Sequence, residues 1–184
     1  RFKQQRAEDE PAGIDELLVS AHHDVGAVAS RAAVIAEAQN AARELQNRPA
    51  NDLTPTALAA AAREVAAATP GLQVEVLGAD AIREHGMGSF ASVFQASAEE
   101  PALIVVRYTP AGTEGRAPLG LIGKAVTFDT GGLSIKTGPG MLGMKFDMSG
   151  GAAVLQAIAA IARLELPLRV LAVIGATDNV ISGE

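Results

Sequence analysis

At 184 residues the chain is long enough to bury a sizeable core as one domain. A net charge of −6 and no dense Lys/Arg cluster argue against a nucleic-acid surface, and the lack of cysteine rules out disulfides and thiolate metal sites and fits a reducing compartment. No apolar run approaches the ~18 residues of a membrane span and the polar opening RFKQQRAEDE is not a signal peptide, so a cytoplasmic protein is expected.

Residues 1–13 are charged and carry Pro11 and Gly13, as a connector does. Ile14, Leu17, Leu18 and Val19 suggest a short strand. From about Asp24 to Gln46 the pattern is helical, with Val28, Ala32, Ile35, Ala42 and Leu45 near one face, and Pro49 ends it. His22 and His23 precede this helix and read as a solvated helix start rather than a metal pair; His85, before Gly86, reads as a helix C-terminal residue. Thr54-Pro55 is a clean helix start, and the helix stops at Thr69-Pro70-Gly71. Leu72, Val74 and Val76 alternate with polar residues, which marks a half-buried strand, and a short helix follows from Ala79 to His85. Ala102 to Tyr108 is a strand covered on both faces, Thr109 to Ala117 a turn-rich loop, and Pro118 to Ile122 the end of another buried strand. Ala152 to Leu164 is a helix, Leu168 to Gly175 a buried strand, and Thr177 to Glu184 a polar loop. Strands alternating with helices predict an α/β domain with a mixed, mainly parallel sheet flanked by helices.

The stretch Gly123 to Gly151, GKAVTFDTGGLSIKTGPGMLGMKFDMSGG, organises the rest. It sets Lys124, Asp129, Lys136 and Asp147 on a glycine-rich connection between a core strand and a core helix. Each has an ordinary explanation by itself. Lys124 would be an exposed strand-end lysine, Asp129 a turn aspartate before Gly-Gly, Asp147 a helix-entry aspartate and Lys136 a solvated loop lysine. Met144 would simply fill core. Two carboxylates and lysines concentrated on one loop are hard to explain by folding alone, because unpaired buried charge is costly. Divalent metal would compensate them.

These residues carry a resemblance to the leucyl aminopeptidase (cytosol aminopeptidase) family. That family has G-K-G-V-T-F-D-S/T-G-G, then S-I/L-K, a G-M pair and M-K-x-D-M-G/S/A-G-A; here stand GKAVTFDTGG, SIK, Gly140-Met141 and MKFDMSGGA in the same order, the last with one more glycine, Gly151, before its alanine. NRPANDLTP at 47–55 is near the family's N-x-P-x-N-x-L-T-P. The resemblance implies that Lys124, Asp129 and Asp147 are metal ligands, with Asp129 shared by two divalent ions. Those ions are manganese or zinc first, with cobalt and magnesium as alternatives. It implies that Lys136 is catalytic, stabilising charge on the substrate carbonyl oxygen, and that Met144 lines the pocket for the first side chain of the substrate. Lys124, Asp129, Lys136, Met144 and Asp147 together would bind a peptide with a free N-terminus. The implied reaction is hydrolysis of the N-terminal peptide bond, with leucine-like preference, by water activated between two metals. A homohexamer is the implied assembly.

Departures are local: Ala125 replaces a usual glycine, Thr137-Gly138-Pro139-Gly140 replaces Pro-x-Ala-Gly, and ATDNVISGE differs from A-T/C-E-N-M-P-S/G-G at Asp178, Val180 and Ile181. The family's N-T-D-A-E-G-R block does not occur before Glu184. Residues 1–46 therefore read as the end of an N-terminal region with an interdomain helix. Residues 47–184 read as the first part of the family's C-terminal catalytic domain, incomplete at its C-terminus and expected to be inactive alone. Two alternatives stand: a non-catalytic assembly or regulatory relative, and a dinucleotide-binding module. The latter rests on Gly138-Pro139-Gly140-Met141-Leu142-Gly143, which fits G-x-G-x-x-G without a strand directly before it.

Overall fold

The computed structural model describes residues 16–183. Helix α1 spans Gly26–Asn47; it ends because Arg48 is forced into extended backbone ahead of Pro49 (φ −67°, ψ 137°). Helix α2, Pro55–Ala68, starts as its sequence predicts, with Thr54 Oγ1 accepting from the Ala57 N–H at 3.2 Å. Strand β1 (Leu72–Leu77) leads through two short helices, α3 (Ala79–Glu84) and α4 (Gly88–Val93), to β2 (Ala102–Tyr108). Strand β3 (Leu119–Asp129) is followed by a one-turn helix α5 (Gly138–Met141), a 3₁₀ turn over Met144–Phe146, helix α6 (Ser149–Arg163) and strand β4 (Val170–Asn179).

The strands form one sheet in the order β1-β2-β4-β3. The expected mixed α/β sheet flanked by helices is present, but its parallel share is smaller than expected. Among the described residues only β3 and β4 pair in parallel, joined by the α6 crossover, while β1–β2 and β2–β4 are antiparallel. The two central strands are covered on both faces, which is why they read as nearly continuous apolar runs. Ile104, Val106, Ala172, Ile174 and Ala176 pack with α2 and α6 through Leu58, Ala62, Leu155 and Ile158. Leu103, Val105, Leu171 and Val173 pack on the other side with Ile82 and Phe94. No helix of the described residues is long and apolar enough to cross a membrane.

Several expectations need correcting. Of the strand expected over Ile14–Val19, Ile14 lies outside the described residues, and Leu17, Leu18 and Val19 have no strand pairing and stand exposed. Three apolar residues without a polar alternation or a partner strand carry little register information. On α1, Ala38 and Leu45 are buried but Val28 and Ile35 are exposed, because only part of the helix rests on α6. Strand β3 does not end at Lys124; Val126, Thr127 and Phe128 suit a pleated surface and continue along β4 to Asp129. Strand β4 likewise continues past Gly175 to Asn179 instead of becoming a loop at Thr177. The one-turn α5 is preceded by loop rather than strand, so the dinucleotide fingerprint lacks its fold context.

The approach of α6 to β3 fixes the site's frame. A Cβ on Gly123 would lie 2.7 Å from the carbonyl oxygen of Gly150 and the Cα of Gly151. A Cβ on Gly151 would lie 2.7 Å from both Ala125 Cβ and Ile174 Cγ2. At Gly123 only glycine lets the two backbones meet, and at Gly151 the space is taken by the Ala125 and Ile174 side chains. Gly151→Ala is therefore expected to cost about 1–3 kcal/mol of unfolding free energy by overpacking, read by urea denaturation. Gly88→Ala, where nothing lies within 4 Å of the new Cβ, serves as the control and is expected to be near neutral; equal losses at both positions would contradict the packing account.

Candidate active site

Residues five apart on a regular strand point to opposite faces. Lys124 and Asp129 escape this rule through a bulge. Their partners on β4, Gly175 and Asn179, are four residues apart and share a face, and the ladder slips by one residue between Val126 and Phe128. The extra residue turns Asp129 back to the face of Lys124. Phe128, paired with Asp178, takes the opposite face.

Asp129 is buried, at 7% exposure, and every side of its carboxylate is engaged. Oδ1 accepts from the Gly131 N–H and from Asn179 Nδ2, each at 2.8 Å, and Oδ2 pairs with Lys136 Nζ at 2.5 Å. Burial alone would raise this carboxyl's pKa; hydrogen bonds from Lys136, Gly131 and Asn179, with Asp147 adjoining, outweigh it and bring the pKa down to about 2. The loop that returns Lys136 to Asp129 is itself tightly held. Thr130 donates through both N–H and Oγ1 to the Asn179 carbonyl at 2.9 Å, and the Lys136 N–H donates to the Thr130 carbonyl at 2.8 Å. Gly131 (φ 91°) and Gly132 (φ 59°) make the turn, where a Cβ on Gly131 would meet the Ser134 carbonyl oxygen at 2.3 Å.

Asp147 closes the 3₁₀ turn just ahead of α6, and Lys124 Nζ lies 2.7 Å from its Oδ2. That distance is ionic, yet the same oxygen is buried without a hydrogen bond, so the contact lacks hydrogen-bond directionality. Its partner is the Lys124 charge rather than a directed hydrogen bond. Met144 opens the same turn and is half-buried. The four charged residues are thus brought together as two lysine–carboxylate pairs with adjoining carboxyls. Among the described residues there is no group of three or more His, Cys, Asp and Glu side chains arranged for a metal. What the donor set offers instead is two carboxylates, one of them held by charge without a directed hydrogen bond, and carboxylate oxygens of this kind fit a hard divalent cation. His22 and His23 are exposed ahead of α1, and His85 caps the C-terminus of α3. A cavity of about 490 Å³ lined by Ala50, Asn51, Thr54, Glu99, Phe128 and Asp178 opens on the other face of the sheet and includes none of the four charged residues.

Asn179 and Thr130 were not among the candidates, although they hold Asp129 and its loop. The only sequence signal was the partial likeness of ATDNVISGE to the family's A-T/C-E-N block; nothing local tells that β4 reaches far enough to present Asn179.

The depressed pKa of Asp129 has a sign that can be checked in metal-free protein. Its folded-state value lies below the ordinary 3.8, so its contribution is full above that value and is lost as pH falls toward 2. The contribution is about 2 kcal/mol. Urea unfolding of wild type and Asp129→Asn between pH 5 and 2 should show the wild type losing that much more stability on acidification. Parallel curves would contradict the assigned bonding.

The model of the cytosol aminopeptidase family's catalytic domain matches residues 40–184. A probable cytosol aminopeptidase of Solibacter usitatus (strain Ellin6076) is 49% identical over 172 residues, which is 93% of this chain and 36% of that relative. Among solved structures, a bottromycin maturation enzyme, BotP, in complex with Mn superposes with a TM-score of 0.83 at 36% identity, covering 98% of this chain and 38% of that one. The cytosol aminopeptidase of Coxiella burnetii gives a TM-score of 0.76 at 33% identity, covering 84% of this chain and 33% of that one. The chain therefore spans little more than a third of the length of such relatives. With its motif residues gathered at one site and this match over most of its length, the chain belongs to the cytosol aminopeptidase family, as part of the catalytic domain.

Proposed function

We propose that the intact protein is a metal-dependent aminopeptidase that removes the N-terminal residue, with leucine-like preference, from peptides in the cytoplasm. The observation that carries it is the meeting of Lys124, Asp129, Lys136 and Asp147 at one site in a chain of this family. Lys124, Asp129 and Asp147 would hold two divalent ions together with residues from elsewhere in the protein, Asp129 being shared. Manganese or zinc is preferred over cobalt or magnesium, and the manganese in the BotP complex supports the first. When bound, the ions supply Lewis acidity, making water acidic near neutral pH and polarising the scissile carbonyl.

The remaining work falls to the chain's own groups. Asn179 and the Gly131 N–H fix Asp129 through Oδ1 and so orient Oδ2. Asp147 offers Oδ2, which is held by the Lys124 charge without a directed hydrogen bond. Lys124 would contribute its amine nitrogen as a ligand. Lys136 is now paired with Asp129; once that carboxylate is otherwise compensated, its ammonium faces the substrate carbonyl oxygen and stabilises the charge that develops there. Met144, half-buried beside Asp147, lines the pocket for the first side chain. Helix α1 is the end of an interdomain connection, consistent with its rest on α6, and the assembly is a homohexamer. Light scattering of the full-length protein should give six subunits; a monomer at micromolar concentration would overturn the assembly proposal.

The two lysines separate the roles. Lys136→Ala in the full-length protein should leave metal content near normal and lower kcat on a leucine chromogenic amide by about 10²–10³-fold. Lys124→Ala should instead lower the metal content measured by elemental analysis. The reverse pattern would show that the lysine roles are exchanged, and full activity in both variants would remove the site from the reaction.

A further inference from the structure

The bulge that turns Asp129 toward Lys124 leaves one residue of β3 without a ladder partner, and that residue is Thr127. It is 1% exposed. Its hydroxyl donates to Asp178 Oδ1 at 2.5 Å and lies 3.2 Å from the Thr177 carbonyl oxygen. These bonds span β3 and β4 on the face opposite Asp129, at the position where the register slips. A bulge disrupts the ladder locally, so something other than main-chain pairing has to hold it. Here a buried hydroxyl and a carboxylate supply that hold. We propose that Thr127 is a positioning residue for the active site: its bond to Asp178 clamps the extra residue of β3 and thereby sets the face on which Asp129 stands.

The chemistry of the pair is consistent with a fixed contact. Asp178 sits in the strand next to Asn179, so one short segment of β4 holds the bulge from one face and the Asp129 carboxylate from the other. Burial, joined by the charge of Glu99, pushes the Asp178 carboxyl up, and the Thr127 hydroxyl and the Phe128 N–H counteract this. A carboxylate that loses a strong donor in such a place keeps only the Phe128 N–H to offset its desolvation, so the strand end relaxes when the hydroxyl is lost. Moving Asp129 then costs Lys136 and Asn179 their partner.

The inference rests on Asp129 being a metal ligand only for its functional consequence; the clamp itself is tested without metal. In metal-free full-length protein, Thr127→Val keeps size and branching but has no hydroxyl. Amide exchange at Phe128–Thr130 should become about ten- to a hundredfold faster, while exchange in β2 stays unchanged. Thr127→Ser should return Phe128–Thr130 to the wild-type rate. Manganese affinity, by chelator competition, should fall about tenfold or more in Thr127→Val and recover in Thr127→Ser. Wild-type exchange in Thr127→Val, or Thr127→Ser behaving like Thr127→Val, overturns the clamp. Should Thr127→Val not fold, Asp178→Asn keeps a carbonyl acceptor and should preserve the slow exchange, whereas Asp178→Ala should release it; the opposite order overturns the proposal. If wild type binds no manganese at all, the aminopeptidase reading fails while the exchange comparison still decides the clamp.

Discussion

The site depends first on how closely α6 comes to β3. Helix and strand backbones ordinarily stand apart by the thickness of their side chains. At Gly123, Gly150 and Gly151 there are none, and the first turn of α6 lies directly on the strand. That contact brings Asp147, just before the helix, within 2.7 Å of Lys124 on the strand. With ordinary side chains between them the helix entry would stand back, and the carboxyls of Asp129 and Asp147 would not adjoin. The glycine-rich character of the segment is thus a packing requirement before it is a catalytic one.

The second dependence is electrostatic. Two carboxylates are drawn together and largely removed from water, and each is offset by a lysine that reaches it from a different part of the chain. Lys124 comes from the strand itself and Lys136 from the end of a loop folded back by Thr130, Gly131 and Gly132. The arrangement balances charge internally. It does so less completely at Asp147, whose Oδ2 has an ionic neighbour but no hydrogen bond, than at Asp129, whose two oxygens are both bonded. The two carboxylates therefore differ in how they are held, Asp129 by directed bonds and Asp147 by charge.

Much of this was legible in the sequence because the chemistry is concentrated. Thr54-Pro55, the apolar run Ala102–Tyr108 and the motif residues around Lys124, Asp129, Lys136 and Asp147 each announce themselves locally. What was hidden depends on pairing between segments about fifty residues apart. The expectation that β3 ends near Lys124 followed from the glycines and charges beyond it, and it fails because β4 lies alongside and supplies main-chain partners to Asp129. Asn179 was hidden for the same reason: it matters only once β4 is seen to run beside Asp129. Helix α4, six residues long, is too short to show a helical period. The excess of antiparallel pairing is invisible to a pattern of alternating helices and strands, since the pattern gives the order of elements but not the direction in which β1 and β2 join the sheet.

The bulge in β3 also says something about chain length as distinct from residue identity. With the extra residue, Lys124 and Asp129 face the same way across a five-residue step. A strand one residue shorter between them would achieve the same facing across a four-residue step and an unbroken ladder. Shortening this strand by one residue and keeping its length while losing the bulge are thus opposite events: the first preserves the common face of the pair, and the second destroys it. In a family of such chains, insertions and deletions between the lysine and the aspartate would be tolerated by whether they come with a change in bulging, and the count of residues in that interval would carry as much information as their names.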